Sequence, residues 1–145
     1  MKEIYYLNKE TLPIIPIPHD CEIKDIALND GFLEFFFADD ISWHDSIKAI
    51  KPEAKSLIIR YHLISTPDDI DITMLQPAKI RRWIRDPYAR FRYLNYERLS
   101  ELKAHGELSY NYHYVHDHSL FIKLCSHMEA QIELFADYVE FEWII

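Results

Sequence analysis

The residues best suited to chemistry lie in one short stretch, YNYHYVHDHS, at positions 110–119. Three histidines and an aspartate occur close together in it: His113, His116, Asp117 and His118. Imidazole nitrogens and carboxylate oxygens are ligands that zinc and other divalent transition metals accept. The dipeptides His19-Asp20 and His44-Asp45 would extend such a site if they converged on it. A small-ligand or metal-dependent enzyme with its site near residues 113–118 is therefore one hypothesis for the function.

The elements around this stretch favour a simpler role for it. Residues 108–115 and 119–125 both have the alternating pattern of β-strands, so the residues between them form the tip of a hairpin. Polar side chains are expected at such a tip, because its backbone faces solvent. A catalytic metal, by contrast, requires fixed ligands around a dry open position. We therefore expect an exposed hairpin tip with no bound metal or other cofactor.

The other motifs of the sequence assign no catalytic residue. The only glycines are Gly31 and Gly106, which excludes the glycine-rich loops that bind nucleotide phosphates. No serine lies in a nucleophile-elbow pattern. Cys21 and Cys125 form no CxxC pair, so we expect two reduced thiols with a packing role. These features favour a non-enzymatic protein.

A second stretch with binding potential is KIRRWIRDPYARFRY, residues 79–93, which contains six basic residues and one acidic residue. Its candidate binding residues are Arg81, Arg82, Trp83, Arg85, Tyr88, Arg90 and Arg92. Arginines interleaved with aromatic residues are typical of single-strand recognition, of protein interfaces, and of surfaces paired with acidic groups of the same chain. Pairing with the chain's own Glu133, Glu140 and Glu142 is the favoured interpretation, followed by a protein interface, with nucleic acid third.

The overall charge also bears on the kind of partner. The net charge is −8 and the pI is about 5.4. An acidic chain is a poor non-specific ligand for nucleic acid, so a nucleic-acid-binding module built on residues 79–93 is the weaker alternative. The first 18 residues contain no apolar run long enough for a signal peptide or a membrane span. We therefore expect a cytoplasmic protein without a membrane partner; a homodimer is compatible with the sequence, although no residue specifies one.

Most of the chain has the patterns of β-strands. Residues 22–28 and 32–38 flank the turn sequence NDG and predict a hairpin, because glycine can adopt the positive φ of a tight turn. The second of these strands is apolar on both faces and is expected in the middle of a sheet. Further strands are predicted at 55–64 and 71–75, and the proline-containing residues 1–19 are expected to form an extended edge or a covering arm.

Helices are predicted from Pro77 to Pro87 and at residues 95–106, where Asn95 is the N-cap and Gly106 the terminator. The connection at 41–54 has room for one helical turn. These elements lie among predicted strands and not in a separate region of the chain. The sequence therefore predicts a single domain of residues 1–145 in the α+β class, mainly antiparallel β-sheet with one or two short helices packed on it. Barrel-like and sandwich-like arrangements both remain open.

The last 40 residues predict an antiparallel meander, with strands at 108–115, 119–126, 129–136 and 137–144. In the first strand Tyr110, Tyr112 and Tyr114 are expected on the face opposite His113. In the last strand the alternation places apolar side chains inward and glutamates outward. The inward residues are Val139, Phe141 and Trp143, and the outward residues are Glu140 and Glu142.

Residues 19–40, HDCEIKDIALNDGFLEFFFADD, resemble a pattern found in small bacterial β-rich families. The shared features are a His-Asp pair, an isoleucine-bearing strand, a polar hairpin turn and a strand of large apolar residues. Some of these families are uncharacterised, and others are immunity-type proteins that neutralise a cognate toxin by binding it. The resemblance implies binding to a partner protein and supplies no catalytic residue. A non-enzymatic cytoplasmic interaction protein is therefore our leading hypothesis.

Overall fold

The computed structural model describes residues 1–8, 14–77, 89–104, 106–126 and 129–145. Within these ranges the chain forms nine strands: β1 (Lys2–Tyr6), β2 (Cys21–Asn29), β3 (Phe32–Phe37), β4 (Ser56–Leu63), β5 (Asp71–Pro77), β6 (Ala89–Leu94), β7 (Leu108–His116), β8 (Ser119–Cys125) and β9 (Glu129–Ile144). Helical structure there includes a short α-helix, α1 (Asp45–Lys48), and 3-10 helices at Ile41–Trp43, Pro67–Asp69 and Tyr96–Lys103. The strand pairings are antiparallel, which confirms the predicted α+β class with a mainly antiparallel sheet.

Strand β9 organises the sheet, because it is 16 residues long and pairs with four other strands. Its first half pairs with both β8 and β5. Its second half pairs with both β1 and β4. Strands β3, β2 and β7 connect β4 back to β8, so six strands form a closed ring of pairings. Strand β6 pairs with β5 at the end of a side branch.

The predicted hairpin around NDG is confirmed as β2 and β3. Its turn residues Asp30 and Gly31 have φ values of 47° and 80°, the left-handed conformations that a two-residue turn requires. Strand β3 lies between β2 and β4, as expected for a strand that is apolar on both faces. The predicted extended edge is present as β1, which pairs with β9.

Two boundary predictions are wrong. Residues 129–136 and 137–144 form one strand instead of two, because a register shift opposite His62 and Leu63 lets β9 continue past Ala136. Pro77 does not begin a helix, because it is the last residue of β5; the rest of the predicted helix, at 78–88, lies outside the described residues. The helix predicted at 95–106 is confirmed as a kinked 3-10 helix that begins after Asn95.

The predicted alternation of β7 is also wrong beyond Tyr110. A register shift between Tyr110 and Tyr112 adds a residue, Asn111, to this strand relative to β8. An extra residue moves every later side chain to the opposite face. Tyr110 is therefore fully buried, Tyr112 and Tyr114 are exposed, and His113 is buried.

Buried side chains of the ring strands and of the neighbouring helices form one hydrophobic core. Val139, Phe141 and Trp143 are buried, as predicted, and Trp143 Nε1 donates a hydrogen bond of 2.9 Å to Glu3 on β1. A polar chain crosses the core: the hydroxyls of Tyr61 and Tyr110 are 2.7 Å apart, and the Tyr110 hydroxyl is 2.8 Å from His113 Nδ1. These mutual hydrogen bonds allow the hydroxyls to be buried at little cost. In the described part of the chain, none of the helices has the length and apolar character needed to cross a lipid bilayer.

Candidate functional site

The structure separates the four candidate metal ligands. His116 and Asp117 begin the tip between β7 and β8, and His118 completes it in a left-handed conformation with φ of 61°. All three are exposed, whereas His113 lies on the inner face of β7 against Tyr110. No group of three or more histidine, cysteine, aspartate or glutamate residues in the described ranges could hold a metal. The predicted exposed hairpin tip is confirmed.

The two other His-Asp dipeptides meet each other and not this tip. Together with Trp43 and Ser46 they line a hollow of about 330 Å³, which adjoins a groove of about 660 Å³. The Asp20 amide donates to the Tyr110 carbonyl at the start of β7, and the tip is at the far end of that strand, roughly 20 Å away at 3.3 Å per residue. Burial lowers the pKa of His44, although the carboxylates of Asp20 and Asp45 act in the opposite direction.

The candidate binding residues of the basic stretch are only partly described. Arg81, Arg82, Trp83, Arg85 and Tyr88 lie outside the described residues, and of Arg90 only the backbone, in β6, is described. Arg92 lies 3.5 Å from Glu101 in the neighbouring 3-10 helix.

Two of the predicted internal partners of this stretch have other ion pairs. The carboxylate of Glu140 lies 3.3 Å from Lys2 Nζ. Glu142 lies 2.5 Å from Arg60, which also contacts Glu34 at 2.9 Å. These contacts lower the pKa of Glu142, with the Arg60 hydrogen bond as the largest cause.

A different group of side chains lies on the outer side of β5, β7, β8 and the first half of β9. Four of them are successive cross-strand partners: Asp71 pairs with Glu133, Glu133 with Phe121, and Phe121 with Tyr114. Phe135 is two residues further along β9, on the same side as Glu133. The aromatic–acidic face is the set of these five residues: Asp71, Tyr114, Phe121, Glu133 and Phe135. They point outward because their neighbours in the strands, Leu120, Ile122 and Leu134, are buried in the core.

The rings of the aromatic–acidic face are accessible to solvent. Tyr114 is 61% exposed and Phe135 is 49% exposed. The ring of Tyr114 lies 6.1 Å from Phe121 and 4.9 Å from Tyr112, so the aromatic surface continues along β7. The five residues line a hollow of about 380 Å³, together with Asp69 and His116. The hairpin tip therefore forms one border of this hollow.

The carboxylates of this face lack a countercharge within the described residues. Asp71 and Glu133 lie directly opposite each other on neighbouring strands, and neither forms an ion pair with a described residue. Like charges in this arrangement repel each other and destabilise a sheet. On the other half of the sheet, Arg60 instead lies between Glu34 and Glu142. Among the described residues, Asp71 and Glu133 therefore form an uncompensated cross-strand pair of carboxylates.

Sequence reasoning missed this face for a local reason. Tyr114 was expected on the same side as the buried Tyr110, and the bulge at Asn111 places it outside. One usable signal was present in β8 and β9. Phe121 in β8 and Phe135 in the first half of β9 occupy outward positions, while the inward positions next to them are aliphatic. Large rings at outward positions are typical of contact surfaces.

No protein-family model, no curated protein and no solved structure matches this chain. Its function therefore has to be inferred from the arrangement of its own residues.

Proposed function

We propose that this chain is a non-enzymatic cytoplasmic protein that binds a partner protein through the aromatic–acidic face. The observation that carries the proposal is the row of outward rings on adjacent paired strands, with Tyr114 and Phe135 at its most exposed positions. Aromatic side chains have few rotatable bonds and a large contact area, so they contribute strongly to binding when the backbone beneath them is fixed. The resemblance of residues 19–40 to immunity-type families agrees with a binding role.

The alternative functions have less support from the geometry. A metal-dependent enzyme near residues 113–118 would need fixed ligands around a sheltered position, whereas His116, Asp117 and His118 are exposed at the hairpin tip and His113 is on the inner face of β7. A nucleic-acid-binding role conflicts with the carboxylates of Asp71 and Glu133, which would repel phosphates. The cytoplasmic location is supported by Cys21 and Cys125, both free thiols, as expected in a reducing compartment.

The proposal is tested with a partner isolated from the native host, purified, and titrated against variants of this chain. The double variant Tyr114→Ala, Phe135→Ala removes the two most exposed rings of the face. We expect its affinity for the partner to fall at least tenfold, since aromatic residues at the centre of interfaces typically contribute about 2 kcal/mol or more each.

The matched control removes two exposed rings elsewhere, Tyr6 on β1 and Trp43 beside the groove. Tyr6→Ala, Trp43→Ala should bind the partner within twofold of the unchanged chain. Equal affinity of the unchanged chain and the Tyr114→Ala, Phe135→Ala variant, with both folded by circular dichroism, would contradict the proposal.

A further inference from the structure

We infer that the hollow in the aromatic–acidic face binds an arginine side chain presented by the partner protein. The guanidinium lies between the carboxylates of Asp71 and Glu133, and its flat surface stacks on the ring of Tyr114 or Phe135. This inference rests on the proposed function, because it names the chemistry of the partner at the same face.

Charge complementarity is the first support. Of the described residues that line the hollow, three are carboxylates, Asp69, Asp71 and Glu133, and none is a lysine or an arginine. The nearby Lys123 on β8 is already 3.6 Å from Glu129. A cation from outside would relieve the repulsion between Asp71 and Glu133, so part of the binding free energy comes from removing an unfavourable interaction.

The combination of carboxylates with rings selects a guanidinium over other cations. Arginine donates paired hydrogen bonds to carboxylates, and its planar group stacks on aromatic rings. Lysine offers a point charge that is more strongly hydrated. A divalent metal needs several oxygen ligands converging on one point, and no such group occurs in the described ranges.

The size of the hollow agrees with a side chain as its occupant. About 380 Å³ is near the lower limit of the roughly 300–1,000 Å³ of small-ligand pockets. The surrounding aromatic surface, which includes Tyr112, would cover the flanking residues of the partner and exclude water from the ion pair.

The first experiment titrates the ¹⁵N-labelled chain with N-acetyl-arginine amide and follows amide shifts by NMR. The control ligand is N-acetyl-citrulline amide, which has nearly the same shape and no charge. We expect saturable shifts at residues 71, 114, 121, 133 and 135 with the arginine compound, and at least tenfold weaker binding of the citrulline compound. Shifts confined to the groove beside Trp43, equal binding of both compounds, or no shifts at all would each overturn the inference. An absence of shifts is also the result expected if the chain's own arginines fill the hollow, and in that case too the inference is wrong.

The second experiment uses the variant Asp71→Asn, Glu133→Gln, which keeps the shape of both side chains and removes their charge. Its affinity for the arginine compound should fall at least tenfold. The matched control, Asp39→Asn, Glu53→Gln, removes the same charge from exposed positions elsewhere and should bind within twofold of the unchanged chain.

The same variants separate this inference from the proposed function. If Tyr114→Ala, Phe135→Ala abolishes partner binding while Asp71→Asn, Glu133→Gln leaves it intact, the face is the interface but does not recognise arginine. If neither variant affects partner binding, the proposed function itself fails.

Discussion

The free energy of unfolding depends on pH through single residues, and His113 is the clearest case. It is 5% exposed, its Nδ1 contacts the Tyr110 hydroxyl, and burial lowers its pKa to about 4. In the unfolded chain a histidine titrates near 6.5. Between these values the unfolded chain binds more protons than the folded chain, so the stabilising effect of neutral His113 is complete above pH 6.5 and decreases as the pH falls towards 4.

We therefore expect the free energy of unfolding to decrease by about 2 kcal/mol between pH 7 and pH 5 through this group alone. The measurement is urea unfolding at both pH values. In the variant His113→Gln the decrease should be smaller by this amount, whereas the exposed His116→Gln should behave like the unchanged chain. If the His113→Gln variant had the same pH dependence as the unchanged chain, burial in the folded state would not lower the pKa of His113, and the prediction would be wrong.

The same chemical change at two glutamates of β9 should have opposite effects on stability. Glu133 faces Asp71 across the strands, so Glu133→Gln removes a repulsion and should raise the free energy of unfolding by roughly 0.2–1 kcal/mol. Glu142 pairs with Arg60, so Glu142→Gln should lower it. Thermal unfolding at low ionic strength measures both. A decrease in stability for Glu133→Gln would mean that Glu133 has a favourable partner in the folded chain.

At the level of elements, the sequence was informative where two signals agreed. The β2–β3 hairpin combines strand periodicity with a turn that needs Gly31. In the second half of β9 the inward residues Val139, Phe141 and Trp143 alternate with outward glutamates, as predicted. The face assignment of β7 was wrong because nothing in its composition indicates an extra residue. Asn111 fits the polar phase of the alternation, and the bulge is fixed by pairing with β8, which is a tertiary effect.

The candidate site was less predictable than the fold for a related reason. It is assembled from four strands, and the opposition of Asp71 and Glu133 depends on the register between β5 and β9, which are separated by some 60 positions in the chain. Local patterns carry no information about such pairings. His113, His116 and His118 lie close together in the sequence, yet His113 is buried on the inner face of β7 whereas His116 and His118 are exposed at the hairpin tip.

At the scale of the whole molecule, β9 links regions that would otherwise be separate. Its first half is held by β8 and β5, and its second half by β4 and β1. If either half of β9 separated from its neighbouring strands, buried side chains of the other half would become exposed to solvent. Trp143 and Ile132 are two of these side chains. This arrangement predicts that the chain unfolds as a single cooperative domain, as the sequence also suggested.

Cooperativity can be tested by following two probes in one urea titration. In the background Trp43→Phe, Trp83→Phe the fluorescence of Trp143 reports on the second half of β9, and far-ultraviolet circular dichroism reports on the sheet as a whole. We expect the two midpoints to coincide, because a two-state transition gives the same curve for every probe. If the fluorescence of Trp143 changed at a clearly different urea concentration, the two halves of β9 would belong to separately folding units. The rigid backbone beneath the aromatic–acidic face would then comprise only β5, β7, β8 and the first half of β9.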